Sequence, residues 1–426
     1  MSFYTSGVKS KILEPVVDIS NNRTEWRLPS NSVFLSNMRI CNLGLTGNGV
    51  GYNRLAGAYG LIKSISIMDG NETLDQLLEA NMWLGWREFN KTNETSLNVE
   101  RRLVLNAVGY KYNYENVVDD SVVPISQINT AAGTTAKAYL SLKDVFPFLR
   151  AVDYVSTVYF QNLRIVIEYE TNKVNLVTNT NHDYTTYSDP LLVMDEVVNE
   201  SVRKANAGFK GASFLAIESD VAYIPTVAGA TAGNPKSQTE NVLIKGFDNK
   251  YVSRMLVAFT PRTAGVVKDG DAVHASGFLG SYSSINSKMQ FRVNGVNRLA
   301  GDGITRPNQR LACLNDTWGN CDAVPGGNDI GVFSLDDYTL YGGADDAEEA
   351  ANKLKYTGTA DYHGILLASR IQDLQIQFTR DIQFDQAGNA AVNTTQFNDA
   401  LRMTVFGEVQ KSIVPRKGGG YDIKYL

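Results

Sequence analysis

The stretch LRIVIEYE, Leu163–Glu170, reads as a long β-strand, and LRMTVFGE, Leu401–Glu408, reads as a loose copy of it near the end of the chain. A strand written twice suggests two cores. At 426 residues the chain is longer than a single hydrophobic core usually reaches, so two domains of roughly 150–200 residues are expected.

Outward from these two stretches, short strand candidates alternate with Gly, Asn and Asp clusters from Trp26 onward, the texture of a β-sandwich or barrel. The first half offers WRLPSNSVFLSNMRICNLGLT, LIKSISIMDG, TAKAYLSL and YVSTVYFQNLRIVIEYE; the second offers SFLAIESDVAYIP, NVLIKGFDNKYVSRMLVAFTP, INSKMQFRVNGV and DLQIQFTRDIQF. Between the halves, Met194, Val197, Val198, Ser201, Val202 and Ala205 recur at the spacing of one helical face, which predicts a connector helix over 193–208. IMDGNETL, Ile67–Leu74, and VNGVNRL, Val293–Leu299, each end a strand on a glycine turn and reach Leu four residues after the glycine, a second weak correspondence between the halves.

Two insertions interrupt the pattern. LDQLLEANMWLGWREF, Leu74–Phe89, puts Leu74, Leu77, Leu78, Met82 and Phe89 on roughly one helical face, with Trp83 and Trp86 beside them, and predicts a helix and loop lying on a sheet. The other, about 299–358, holds NDTWGNCDAVPGGND and the acidic DDAEEAANKLKY, and long loops of a β protein are where a specific surface usually sits.

Composition narrows the function. The net charge of −5 argues against a surface devoted to nucleic acid, and three cysteines, Cys41, Cys313 and Cys321, make no disulfide framework. MSFYTSGVKSKILEP has no apolar core of a secretory signal, so synthesis in a cytosol is expected.

Motifs for chemistry fail on inspection. GNGVGYNRLAGAYG, Gly47–Gly60, misses both the Walker and the dinucleotide-binding spacings, which leaves a flexible loop. His182, His274 and His363 stand far apart, and Cys313 and Cys321 have no partner ligands nearby in sequence. Acidic pairs such as Asp119-Asp120 and Asp345-Asp346 fit solvated loops. No cofactor, metal or catalytic residue is expected, and the chain is not read as an enzyme. Trp83 and Trp86 are either core or a binding or subunit surface. At the end, KSIVPRKGGGYDIKYL carries Lys411, Arg416, Lys417 and Lys424 against Asp422, with Gly418–Gly420 between, and predicts a basic flexible tail.

In SISIMDGNETLDQLLEANMWLGWREFNKT, Ser64–Thr92, a strand ending in Gly70 is followed by Leu74, Trp83, Trp86 and Phe89; in LSLKDVFPFLRAVDYVSTVYFQNLRIVIEYE, Leu140–Glu170, a turn at Pro147-Phe148 precedes the last strands. These stretches, two successive β domains and the lack of an active site resemble the double jelly-roll major capsid proteins of icosahedral double-stranded DNA viruses. The resemblance implies an all-β fold of two consecutive eight-stranded antiparallel jelly rolls with short helical insertions and a connector helix. The expected division is an N-terminal arm (1–25), a first roll (26–192), the connector (193–208), a second roll (209–412, with the insertion at about 299–358) and the basic tail (413–426). Each LR stretch would then be the closing strand of its own roll.

The implied function is a capsid subunit of the virion, a homotrimer forming pseudo-hexagonal capsomers. Its expected partners are neighbouring capsomers, minor capsid or penton proteins, and an inner membrane or the genome reached through the basic tail. Candidate contact residues are Trp83, Trp86, Arg416, Lys417 and Lys424. The competing expectation is a tandem β-sandwich that binds carbohydrate or attaches to a host, with Trp83, Trp86 or Trp318 as its platform; a β-sandwich hydrolase ranks behind both.

Overall fold

The computed structural model describes residues 7–16, 22–47, 58–84, 103–104, 137–171, 184–225, 236–261, 286–298, 301, 303, 330–333, 370–382, 401–417 and 419–425. The first half contains β1 (Val8–Leu13), β2 (Arg23–Arg27), β3 (Val33–Leu35), β4 (Arg39–Leu43), β5 (Leu45–Gly47), β6 (Ile62–Asp69), β7 (Glu72–Leu78), β8 (Ala138–Ser141), the short helices α1 (Leu142–Val145) and α2 (Pro147–Ala151), β9 (Tyr154–Ser156), β10 (Leu163–Tyr169), β11 (Tyr184–Tyr187) and β12 (Leu191–Val197). After helix α3 (Glu200–Ala205) the second half contains β13 (Ala212–Ile224), β14 (Lys236–Ile244), β15 (Val252–Pro261), β16 (Asn286–Val293), β17 (Val296–Asn297), β18 (Ile330–Phe333), β19 (Leu374–Ile382), β20 (Leu401–Pro415) and β21 (Tyr421–Tyr425).

Each half contains two main sheets with the same strand order, and the first half adds a separate two-stranded sheet of β5 and β11. In the first, β1 lies on β12, which pairs with β4 and then β8, while β3 and β9 extend the same sheet; the facing sheet runs β2-β10-β6-β7. In the second, β13-β20-β15-β18 faces β14-β19-β16-β17, and β21 adds to β20. Thus β1-β12-β4 repeats as β13-β20-β15, and β2-β10-β6-β7 repeats as β14-β19-β16-β17. This is the jelly-roll order written twice, an all-β fold. Among the described residues, no strand of one half pairs with a strand of the other.

The repeat corrects the reading of the two LR stretches. LRIVIEYE is β10, inside the four-stranded sheet between β2 and β6, and its counterpart is β19; LRMTVFGE belongs to β20, whose counterpart is β12. The closing strand of the first half is therefore Leu191–Val197, which runs from the end of the expected first roll into the region read as a connector helix, overlapping it at 193–197. Leu192 and Met194 alternate inward on that strand and Asn199 then ends it, its side chain accepting from the N–H groups of Ser201 (3.1 Å) and Val202 (3.2 Å) to cap α3. α3 spans six residues and buries none, so the helical spacing over 193–208 joins two elements by coincidence. The glycine-turn match fares better. Gly70 (φ +60°) joins β6 to β7, and Asn294-Gly295 (φ +49° and +79°) joins the equivalent β16 to β17 in a turn that needs positive φ at both positions.

Other boundaries shift. The arm over 1–25 contains β1, paired with β12, and the start of β2, paired with β10. The helix expected over Leu74–Phe89 is strand as far as Leu78, because β7 pairs with β6; residues 80–84 are helical and the rest lies outside the described residues. Pro147-Phe148 opens α2 rather than a turn, with Pro at a first-turn position where its missing N–H costs nothing. The tail over 413–426 is the end of β20 and β21, which pair from Lys411↔Tyr425 to Pro415↔Tyr421. Most of the 299–358 insertion lies outside the described residues; within it β18 pairs in parallel with β15.

Two apolar cores result. That of the second roll is lined by Met255, Val257, Phe291, Ile376, Phe378, Met403 and Val405. That of the first, around Trp26, Ile65, Ile67, Ile165 and Ile167, continues without a break into Phe214, Ala216, Ile217, Leu256, Phe406 and Ile413 of the second half.

Candidate functional site

Among the described residues, one continuous core spans the junction between the rolls. From the first roll, β7, α2 and the helical turn at 80–84 meet β13 and β20 of the second. Phe148 on α2 is fully buried and touches Phe160 (6.3 Å between ring centroids), Phe209 (6.5 Å) and Phe214 (5.9 Å). Phe160 also meets Phe209 at 5.0 Å and Tyr421 of β21 at 5.3 Å. Aromatic pairs in these edge and tilted geometries contribute about 0.5–1.5 kcal/mol each beyond the area they bury. Trp83 is 5% exposed, its ring 5.4 Å from Phe406. The expectation of a surface contact or sugar platform at Trp83 is corrected: the side chain joins the two rolls of one chain. Trp86 and Trp318 lie outside the described residues.

Charge is buried in the same seam. Asp75 on β7 is 1% exposed, and its two oxygens accept the backbone N–H groups of Gln76 (3.0 Å) and Phe148 (2.9 Å). Burial pushes its pKa up to about 6, against the pull of those two hydrogen bonds and of the cations Lys411 and Arg150. Lys411 on β20 is 3% exposed and burial draws its pKa down, while Asp75 and Glu218 act to raise it. The sequence suggests a cation of a basic flexible tail, yet on β20 Lys411 is turned inward beside β21. Lys250 pairs with Glu218, and the two lysine ammoniums lie over one Tyr425 ring, at 5.0 Å for Lys250 and 5.3 Å for Lys411. A further ion pair, Arg402–Glu79, crosses the seam.

The C-terminal hairpin fastens this junction. Gly419 and Gly420 take positive φ at its turn, and Arg416 Nε donates to Asp422 at 2.7 Å. Tyr421 donates to Asp69 at the β6–β7 turn (3.2 Å), and Tyr159 of the first roll donates to the Gly420 carbonyl. Of the expected tail cations, Arg416 is exposed and paired, and Lys417 and Lys424 are exposed. Lys210 sits near them, since Gly211 lies against the Ile413 carbonyl and Pro415. β1 begins close to the inter-roll linker: the Gly7 carbonyl accepts the N–H groups of Val198 and Asn199. The start of β1 therefore lies beside the linker, and the far end of that linker lies beside the C-terminal hairpin.

No group of three or more His, Cys, Asp or Glu side chains among the described residues is placed to hold a metal ion. Cys41 is a half-buried free thiol; His182, His274, His363, Cys313 and Cys321 lie outside the described residues, as does most of the glycine-rich 47–60 segment. The site that sequence reasoning missed is the charged seam. Its only signal is an Asp within the apolar ETLDQLL of β7 and a Lys within the apolar end of β20.

Neither a protein-family model nor a curated protein matches the sequence. Solved structures do match, over nearly the whole chain. PBCV-1 VP54, in a crystal structure fitted into a cryo-EM reconstruction of the virophage Sputnik, shares 13% identity over 98% of this chain and 97% of its own, with a TM-score of 0.55. The quasi-atomic PBCV-1 virus capsid matches at 13% identity, the same coverages and a TM-score of 0.54. The Sputnik virophage cryo-EM structure at 3.5 Å resolution matches at 10% identity over 98% of this chain and 88% of its own, with a TM-score of 0.53. The chain has the double jelly-roll fold of these virus structures, from end to end.

Proposed function

We propose that this chain is a capsid protein, a non-catalytic structural subunit of a virion that trimerises into pseudo-hexagonal capsomers tiling an icosahedral shell. The observation that carries the reading is the seam. Two rolls joined by a continuous apolar core, a buried charge cluster and a C-terminal strand behave as one body, and a tile needs its two rolls held at a constant angle. Likeness to a virus capsid structure over 98% of this chain supports the same reading.

Three copies would place six rolls in a ring. The hairpin end, with Arg416, Lys417, Lys424 and Lys210, suits the inner side of the shell, where cations meet membrane phosphates or genome while the acidic body is repelled. Neighbouring capsomers and minor capsid or penton proteins are the remaining partners. The mass in solution tests this directly: light scattering behind a sizing column should give about 140 kDa, three times the 46.8 kDa chain. A stable monomer would overturn the proposal.

A further inference from the structure

The C-terminal strand β21 lies along the charged seam as a short edge strand. Its five residues pair with β20, and among the described residues no other strand meets them. Tyr421 and Ile423 are half-buried against the first core, while Lys424 and Tyr425 are exposed. The turn before the strand is unpacked: a Cβ placed on Gly419 or Gly420 would meet nothing within 4 Å. A short strand with few apolar contacts and an unpacked turn belongs to the part of a fold that opens first.

A chain of contacts leads from this strand to Asp75. Phe214, Lys411 and Tyr425 are register partners across β13, β20 and β21, so their side chains share one face of the sheet. The Phe214 ring lies 5.9 Å from that of Phe148, whose backbone N–H donates to Asp75. The charged and titratable groups around this space are Arg150 on α2, Lys411 on β20, Glu218 on β13, Lys250 ahead of β15 and Tyr425 on β21.

We propose that β21 is a proton-operated strap: it stays docked along the seam while Asp75 is protonated, and ionisation of Asp75 favours its release. Docked, the strap keeps water from Lys411 and from the space that Lys411 shares with Asp75. Released, it lets water reach both. Burial raises the Asp75 pKa from 3.8 to about 6 in the docked state, so hydration returns it toward 3.8. The docked state therefore binds the proton more tightly, and docking is strongest below about pH 4 and weakens as pH rises through 6. Lys411, whose pKa burial lowers, contributes with the opposite sign. Tyr425, whose hydroxyl burial pushes above the ordinary tyrosine range, contributes only in alkali. The strap works within one chain and does not depend on the capsomer reading.

Hydrogen exchange of the full chain tests this, read by mass spectrometry across roughly pH 5 to 7 and corrected for the intrinsic pH dependence of exchange. Protection of the C-terminal peptide covering β21 should lie below that of β6 and β10 at every pH. It should also fall across the range by several-fold, up to about tenfold where opening fully hydrates Asp75. In Asp75→Asn, which has no proton to lose, protection of β21 should not fall. Two outcomes in the unmodified protein would overturn the proposal without any variant. One is protection of β21 that does not change with pH. The other is protection of β21 equal to that of β6 and β10 throughout, since the strand would then open only when the whole chain unfolds. A fall that persists in Asp75→Asn would equally overturn it, because Asp75 would not be the group that releases the strap.

Discussion

Trp83 of the first roll and Phe406 of the second face each other across the seam, ring centroids 5.4 Å apart and planes tilted by 46°. Neither ring is accessible to a ligand, and each belongs to a different roll, so the pair measures how strongly the rolls are joined. Trp83→Ala is expected to cost about 3–5 kcal/mol, as for other large buried aromatics, and Trp83→Phe much less. Urea unfolding followed by far-UV circular dichroism reads the difference. A loss below about 1 kcal/mol for the alanine variant would mean that the rolls are held elsewhere.

Asp75 makes the seam sensitive to pH. With a folded-state pKa of about 6 against an ordinary value of 3.8, the native chain holds this proton more tightly than the unfolded chain does. Its contribution to stability is therefore largest in acid and falls as pH rises from about 4 through 6, by up to about 3 kcal/mol. Asp75→Asn removes the titration and leaves the rest of the chain as a common background. The stability of wild type relative to the variant should fall from pH 4.5 to a little above 6 and then level off. A rise with pH instead would mean that the attraction of Lys411 outweighs burial.

How much of this was legible in sequence differs element by element. The glycine turns at Gly70 and Gly295 were matched correctly because a two-residue hairpin constrains its own residues, whatever surrounds it. The LR stretches were matched wrongly because apolar composition marks any buried strand, and sheet order is decided by partners far away in sequence. Leu191–Val197 was missed for the same kind of reason: strand, Asn cap and short helix together imitate one helical face. The charged seam was the least legible, since Asp75 and Lys411 are 336 positions apart and only the packing of one roll on the other shows that they share a buried space.

Tyr425 shows what the last strand does. Its ring takes Lys250 and Lys411 together, and its hydroxyl bonds to Glu218. Tyr425→Ala should cost about 1–3 kcal/mol, and Tyr425→Phe, which keeps both cation contacts, about 1 kcal/mol or less. Thermal unfolding of the two variants checks the order. Equal losses would place the whole effect in the hydroxyl and none in the lysine contacts.

Gly407 is where the two LR stretches part physically. Aligned from their leucines, LRIVIEYE has Tyr169 where LRMTVFGE has Gly407. Tyr169 is buried, its hydroxyl 3.0 Å from that of Thr24, whereas a Cβ on Gly407 would stand 2.6 Å from the ring of the fully buried Phe247. The second strand thus requires a glycine because the loop between β14 and β15 drives an aromatic ring onto its backbone. Gly407→Ala should destabilise by about 1–3 kcal/mol through overpacking. Combined with Phe247→Leu, which frees space at the contact, the same substitution should cost clearly less, and a double-mutant cycle measures that coupling. Strict additivity of the two substitutions would show that the ring yields elsewhere and that Gly407 answers to some other constraint.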